Sequence, residues 1–142
     1  MSGIQQLIRK TTIKSDYDLA RDVEESIISE AQAGGFSEGE VFAIRLALEE
    51  ALVNAIRHGN RLDPKKMVMV EWSVCDGTLD VVIADEGKGF VPDAVPDPTR
   101  DENLERPGGR GLMLMKAYMD CVEYNKQGNI VRMCKKIHCC GE

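Results

Sequence analysis

Apolar positions along the chain follow two periods, and the changes between them mark the elements. From Tyr17 to Ala33, Leu19, Val23, Ile27 and Ala31 recur every four residues, the stripe of an amphipathic helix. Ser15 or Asp16 can cap its start, and Gly34-Gly35 stops it. Ser37 followed by Glu40 is the capping-box signature, so a second helix is expected from there to His58, with Gly59 as its stop. Its core stripe is Val41, Ile44, Leu48, Leu52 and Ala55. Against that stripe stand three polar residues spaced four apart, Glu50, Asn54 and His58, which a helix stacks along one side. Polar groups on a largely apolar helix need partners or a ligand.

Elsewhere the period falls to two. Ile4 to Lys14 alternates weakly and is expected as an edge strand. Met67 to Cys75 puts Val68, Val70 and Trp72 on one face, and Thr78 to Ala84 does the same with Leu79, Val81 and Ile83. Asp76-Gly77 between them is a two-residue hairpin signal, and the second strand ends at Asp85. Residues 86–110 show no period and are rich in Gly, Pro and acids, the mark of a lid or of a disordered segment. Leu112 to Met119 is expected as a short helix, followed by a hairpin of Cys121–Asn125 and Ile130–Ile137 around Gln127-Gly128-Asn129. The order β-α-α-β-β-lid-α-β-β predicts an α+β fold: a two-layer α/β sandwich whose mostly antiparallel sheet carries helices on one face. A single domain over residues 1–142, with a lid at about 90–108, is expected.

Composition narrows the function. The net charge is −6 and basic residues cluster only in pairs such as Lys65-Lys66, which argues against nucleic acid and anionic membranes as partners. No apolar run approaches the ~18 residues of a bilayer span, and no signal-peptide core precedes the first strand, so a cytoplasmic protein is expected. The five cysteines are odd in number and do not suggest a disulfide framework. His138-Cys139-Cys140 lacks a second ligand pair for a structural metal site and is expected as the frayed end of the last strand.

Three polar clusters sit at element ends. The first is Glu50/Asn54/His58, which can be a ligand site or a satisfied polar stripe between helix and sheet. The second, Asp85-Glu86-Gly87-Lys88-Gly89, follows a strand. A buried Asp there can accept from an exocyclic amine while the glycines leave room for a flat ring; a plain turn is the other reading. The third, Gly108-Gly109-Arg110-Gly111, precedes a helix and is either a phosphate-binding start or a hinge.

Taken together, E-x-x-x-N on a helix, D-x-G-x-G after a hairpin, a Pro-rich stretch and a glycine-rich helix start resemble the Bergerat ATP-binding fold of the GHKL superfamily. The N box corresponds to EEALVNAIRHGN, and the glycine boxes to DEGKGF and GGRGLMLM. The resemblance implies ATP and Mg²⁺ as cofactors. It makes Asn54 a Mg²⁺ ligand, Asp85 the partner of the adenine amine, and Gly87 and Gly89 the walls of the adenine pocket. Gly109, Gly111 and the adjoining Leu112 would line the triphosphate, with Arg110 on phosphate or in solvent. His58 would close the helix end or rim the lid, and Asn129 stands where the family often has threonine on the last strand.

Within the superfamily, LERPGGRGLMLMKAYMDCVEY beside the N box looks like the anti-sigma-factor serine/threonine-protein kinases of the RsbW type. That resemblance implies a small protein that holds a sigma factor or other response regulator and phosphorylates a STAS-domain anti-sigma-factor antagonist. It is also expected to form a homodimer. Glu50 takes the position that carries asparagine in histidine-kinase domains, and a carboxylate there can act as general base. Arg106 would stabilise the transferring phosphoryl group. The alternative is a non-catalytic nucleotide-binding module that sequesters a regulator; Glu50 favours the kinase, since a pure binder does not need the carboxylate.

Overall fold

The computed structural model describes residues 8–87 and 110–138. Its order is β1 (Arg9–Lys14), α1 (Tyr17–Ala33), α2 (Glu38–Val53), a π-helical segment (Asn54–Gly59), β2 (Met67–Cys75), β3 (Thr78–Asp85), α3 (Arg110–Tyr118), β4 (Cys121–Tyr124) and β5 (Ile130–Lys136). The strands form one sheet in the order β1-β2-β3-β5-β4, and every described pairing is antiparallel. α1 and α2 pack on each other, and α3 packs on α2. The α+β sandwich expected from the pattern is the fold observed.

Local chemistry accounts for the element ends. Asp16, not Ser15, caps α1: its Oδ1 accepts from the N–H groups of Asp18 at 2.8 Å and Leu19 at 3.2 Å. Ser37 and Glu40 complete the reciprocal capping box of α2, at 2.9 and 3.2 Å. Asp76 and Gly77 both take positive φ, +52° and +73°, the backbone that a two-residue hairpin needs.

The core lies between the helices and one face of the sheet. Ile27, Ile44, Leu48 and Ile56 from the helical layer meet Val68, Val70, Leu79, Val81 and Met133 from the strands, all of them fully buried. Burying each such side chain contributes roughly 1.5–3 kcal/mol. The full predicted stripe of α2 (Val41, Ile44, Leu48, Leu52 and Ala55) is buried. That stripe fixes the rotation of α2 and therefore the direction in which its polar side faces.

One expectation needs correction. The second helix does not run in α form to His58; it widens at Asn54, where the Asn60 N–H reaches the Ala55 carbonyl at 2.8 Å, five residues back. The helical stretch ends at Gly59, as expected, without a positive φ there. Of the expected first strand, Arg9–Lys14 is β1, Ile8 precedes it, and residues 1–7 lie outside the described residues.

Candidate functional site

The widened turn carries the end of α2 under the end of β3. A cleft opens there, lined by Ala51, Asn54, His58, Gly59, Asp85, Tyr124 and Asn129, with Ala55, Ile83, Gly128 and Val131 beneath. Four of the residues singled out by sequence (Asn54, His58, Asp85 and Asn129) therefore meet around one space.

Asp85 ends β3 with its carboxylate directly over Gly59. A Cβ built on Gly59 would fall 2.3 Å from the Asp85 Cγ. A Cβ on Gly87 would fall 1.9 Å from the Gly59 carbonyl oxygen. A side-chain carbon on Gly87 would collide with backbone, and one on Gly59 would have to displace the Asp85 carboxylate. The Gly87 N–H donates to Asp85 Oδ1 at 2.8 Å. Burial pushes the Asp85 carboxyl up to about 6, against the opposing pull of the Gly87 N–H and the Lys66 charge.

Asn129 closes the floor. Its Nδ2 donates to the Gly87 carbonyl at 3.3 Å, and its own carbonyl accepts from the Asp85 N–H at 2.9 Å. Asn125 organises this turn: its Oδ1 accepts from the N–H groups of Gly128, Asn129 and Ile130, and its Nδ2 donates to Asn129 Oδ1 at 2.9 Å.

Asn54 is buried, 8% exposed, and its side chain hydrogen-bonds the Tyr124 phenol. Burial drives the Tyr124 hydroxyl up to about 12; the Asn54 bond lowers it, while the charges of Asp85 and Glu50 raise it further. Glu50, half-buried on α2, thus stands close enough to Tyr124 to act on it electrostatically, although it does not line the cleft.

Sequence reasoning missed Tyr124, Gly59 and Asn60. The alternation of β4 carried a signal for Tyr124, because Val122 and Tyr124 share the inward face with Met133 and Val131. Gly59 was assigned to a helix stop, and it also leaves room for Asp85. Arg110, Gly111 and Leu112 form the first turn of α3, so the second glycine box enters the helix where a start at Leu112 was expected. Gly89, Arg106 and Gly109 lie outside the described residues, as do Cys139 and Cys140 of the C-terminal His-Cys-Cys run. Cys75, Cys121 and Cys134 are free thiols, and among the described residues no group of three or more His, Cys, Asp or Glu could hold a metal ion. No helix among the described residues is long and apolar enough to cross a membrane.

The helix end and the strand end thus hold a half-buried carboxylate beside two glycines at the edge of a cleft. The profile of the histidine kinase-like ATPase domain matches residues 13–135, and the chain belongs to that family. It is 37% identical over 105 residues to an anti-sigma F factor of Heyndrickxia coagulans, covering 69% of this chain and 71% of that one. It is 28% identical over 143 residues to the serine-protein kinase RsbW of Oceanobacillus iheyensis, covering 96% and 89%. A solved structure of the RsbU and RsbW domains of a Mycobacterium tuberculosis protein superposes with a TM-score of 0.58 at 15% identity over 93% of this chain. The chain spans 32% of that structure's length, and the likeness extends to fold.

Proposed function

We propose that this protein is an ATP- and Mg²⁺-dependent serine/threonine-protein kinase that acts as an anti-sigma factor. In this reading it binds a sigma factor or other response regulator and phosphorylates a STAS-domain antagonist that competes for it. The observation that carries the reading is the convergence of Asn54, Asp85 and Asn129 on one cleft, with Glu50 one turn before Asn54 on the same helix. The names of its relatives, an anti-sigma F factor and a serine-protein kinase, support the same assignment. A single domain, a cytoplasmic location and a homodimer belong to this proposal.

The residues fit the cofactors. Asp85, ionised, offers carboxylate oxygens to an exocyclic amine, and its close contact with Gly59 seats that carboxylate at the wall of the cleft. Mg²⁺ takes hard oxygen ligands and usually keeps several waters, needing only one or two protein groups beside substrate phosphates. The buried Asn54 amide is such a group. When bound, the ion would neutralise charge on the phosphates. Glu50 would take the proton of the attacking serine hydroxyl, and Arg106 would stabilise charge on the phosphoryl group in flight. His58 would rim the site. Gly89 would help shape the adenine pocket, and Gly109, Arg110, Gly111 and Leu112 would line the triphosphate beside a lid at about 90–108.

The test is to incubate the full chain with Mg-ATP and candidate STAS-domain proteins and assay phosphoserine. Transfer to one partner is expected, with Glu50→Ala reducing it by about 100-fold or more while nucleotide still binds. Transfer undiminished in Glu50→Ala would sink the base assignment. Nucleotide binding with no transfer to any partner would leave the sequestering module as the function.

A further inference from the structure

Asn60 is fully buried, and a buried amide is costly unless every donor and acceptor is met. Here each is met, by four separate parts of the chain. Its Nδ2 donates to Ser15 Oγ at 3.0 Å, in the β1–α1 joint, and to the Met67 carbonyl at 2.9 Å, where β2 begins. Its Oδ1 accepts from the Glu86 N–H at 2.8 Å, between Asp85 and Gly87. Its own N–H closes the π segment on Ala55. Ser15 Oγ passes the link on to the Lys66 carbonyl at 2.8 Å, and the Glu86 carboxylate returns it to the Met67 N–H at 2.7 Å.

We propose that Asn60 is a positioning residue for the cleft: its amide holds the Asp85–Gly87 turn against the π segment and so sets where the Asp85 carboxylate stands over Gly59. The consequence for ligands rests on the nucleotide reading above; the positioning itself does not. The geometry is directional. One arm of the amide, the two Nδ2 donors, ties the residue to the frame of the fold. The other, Oδ1, reaches the residue next to Asp85. Gly59 and Gly87 are in contact with no side chain between them; Asn129 and Met67 also bond the turn, but from the sheet, and the Asn60 amide is the bond that reaches it from the end of the π segment. A planar amide supplies both arms at once; a carboxylate keeps the acceptor and loses the donors, and a hydroxyl is too short to span them.

Three variants and one measurement on the parent test this. In Asn60→Ala, the MgADP dissociation constant by calorimetry is expected to rise about tenfold, the scale of one lost hydrogen bond. The Gly87 amide, whose own bond runs to Asp85 and not to Asn60, should exchange faster with solvent, while that of Val70 in mid-β2 is unchanged. Ser15→Ala cuts only the frame arm; it should lower Tm yet bind MgADP within about twofold of the parent. Asn60→Asp retains the Glu86 contact and should keep most of the affinity in its folded fraction. In the parent, the Asn60 Nδ2 protons and the Glu86 and Gly87 amides should be protected together, which decides the matter even where no variant folds. MgADP affinity in Asn60→Ala matching that of Ser15→Ala at equal loss of Tm would overturn the proposal, as would unprotected Nδ2 protons in the parent. A parent chain that binds no MgADP would refute the nucleotide reading, and the exchange rates alone would then decide the positioning.

Discussion

Among the described residues, two carboxyls are pushed up by burial, and they sit in different kinds of place. Asp85, at the end of β3, titrates at about 6, and Glu24, on α1, at about 7. Around Glu24 the neighbours are charged side chains of the same chain. Glu49 raises it by charge and by a shared hydrogen bond, while Arg45 Nη1, 3.1 Å from Glu24 Oε2, pulls it down and also pairs with Glu25. Around Asp85 stand two glycines, the Gly87 N–H, the charge of Lys66 and an open cleft that His58 and Tyr124 also line. The same electrostatic symptom thus has two causes. Glu24 is enclosed by an ionic cluster that joins α1 to α2, and Asp85 is left with acceptor capacity facing a space. A displaced carboxyl points to a ligand only when the surroundings leave it something to bind.

The largest expected effect separates the two directly. Asp85→Asn removes the anionic acceptor while keeping an oxygen for the Gly87 N–H. Nucleotide affinity should fall about 100-fold, the scale of a charged hydrogen bond. Because the ionised carboxyl is held in a site that disfavours it, the same change should leave Tm unchanged or raise it. Glu24→Gln should bind nucleotide like the parent. Equal losses in both variants by calorimetry would erase the distinction.

Gly59→Ala comes next. The added methyl must displace the Asp85 carboxylate, from which it would stand 2.3–2.5 Å. Overpacking of this kind costs about 1–3 kcal/mol. Nucleotide affinity should fall by about tenfold or more, because the methyl enters the cleft itself. An alanine variant with parental affinity and parental Tm would show that β3 can shift away from the π segment.

The fold was legible where one short stretch of chain decides the outcome. Asp16 and Gly34 bound α1 at Tyr17–Ala33, and the Asp76-Gly77 turn bounds β2 and β3, as their own chemistry dictates. The buried stripe of α2 was legible because helical period alone orients it. Asp85 and Asn54 could be picked out as polar groups at places where polarity is costly. What stayed hidden depends on contacts between distant segments. Asn60 looks like an ordinary turn residue until Glu86, 26 positions later, is seen bonded to it. Gly59 reads only as a helix stop until β3 is laid across it. The widening at Asn54 leaves the apolar stripe intact, so no periodicity betrays it.

A smaller effect follows from the pH at which each carboxyl changes state. A nucleotide amine needs ionised Asp85, so protonation competes with binding. Between pH 7 and pH 5 the apparent dissociation constant should rise about tenfold, as expected for an acid near 6. The same titration on Glu24→Gln should be superimposable on the parent. A pH-independent affinity would mean that the carboxylate is not the acceptor.

The smallest effect tests the other side of the comparison, through stability. The folded Glu24 carboxyl lies at about 7, raised from an ordinary 4.5, so the folded state holds its proton more tightly than the unfolded chain does. That contribution is complete below about pH 4.5 and is lost as pH rises through 7, so Glu24 makes the parent less stable at pH 8 than at pH 5. One titrating group can give a slope of at most about 1.4 kcal/mol per pH unit. Asp85 adds a slope of the same sign at lower pH, so the informative quantity is the difference between Glu24→Gln and the parent. Denaturant melts at pH 5 and pH 8 should show the gap between them shifting in favour of the variant at pH 8. A gap independent of pH would mean that Arg45 keeps Glu24 ionised throughout. The cluster would then be an ordinary salt bridge, and Asp85 the one carboxyl of the two held at a cost in stability.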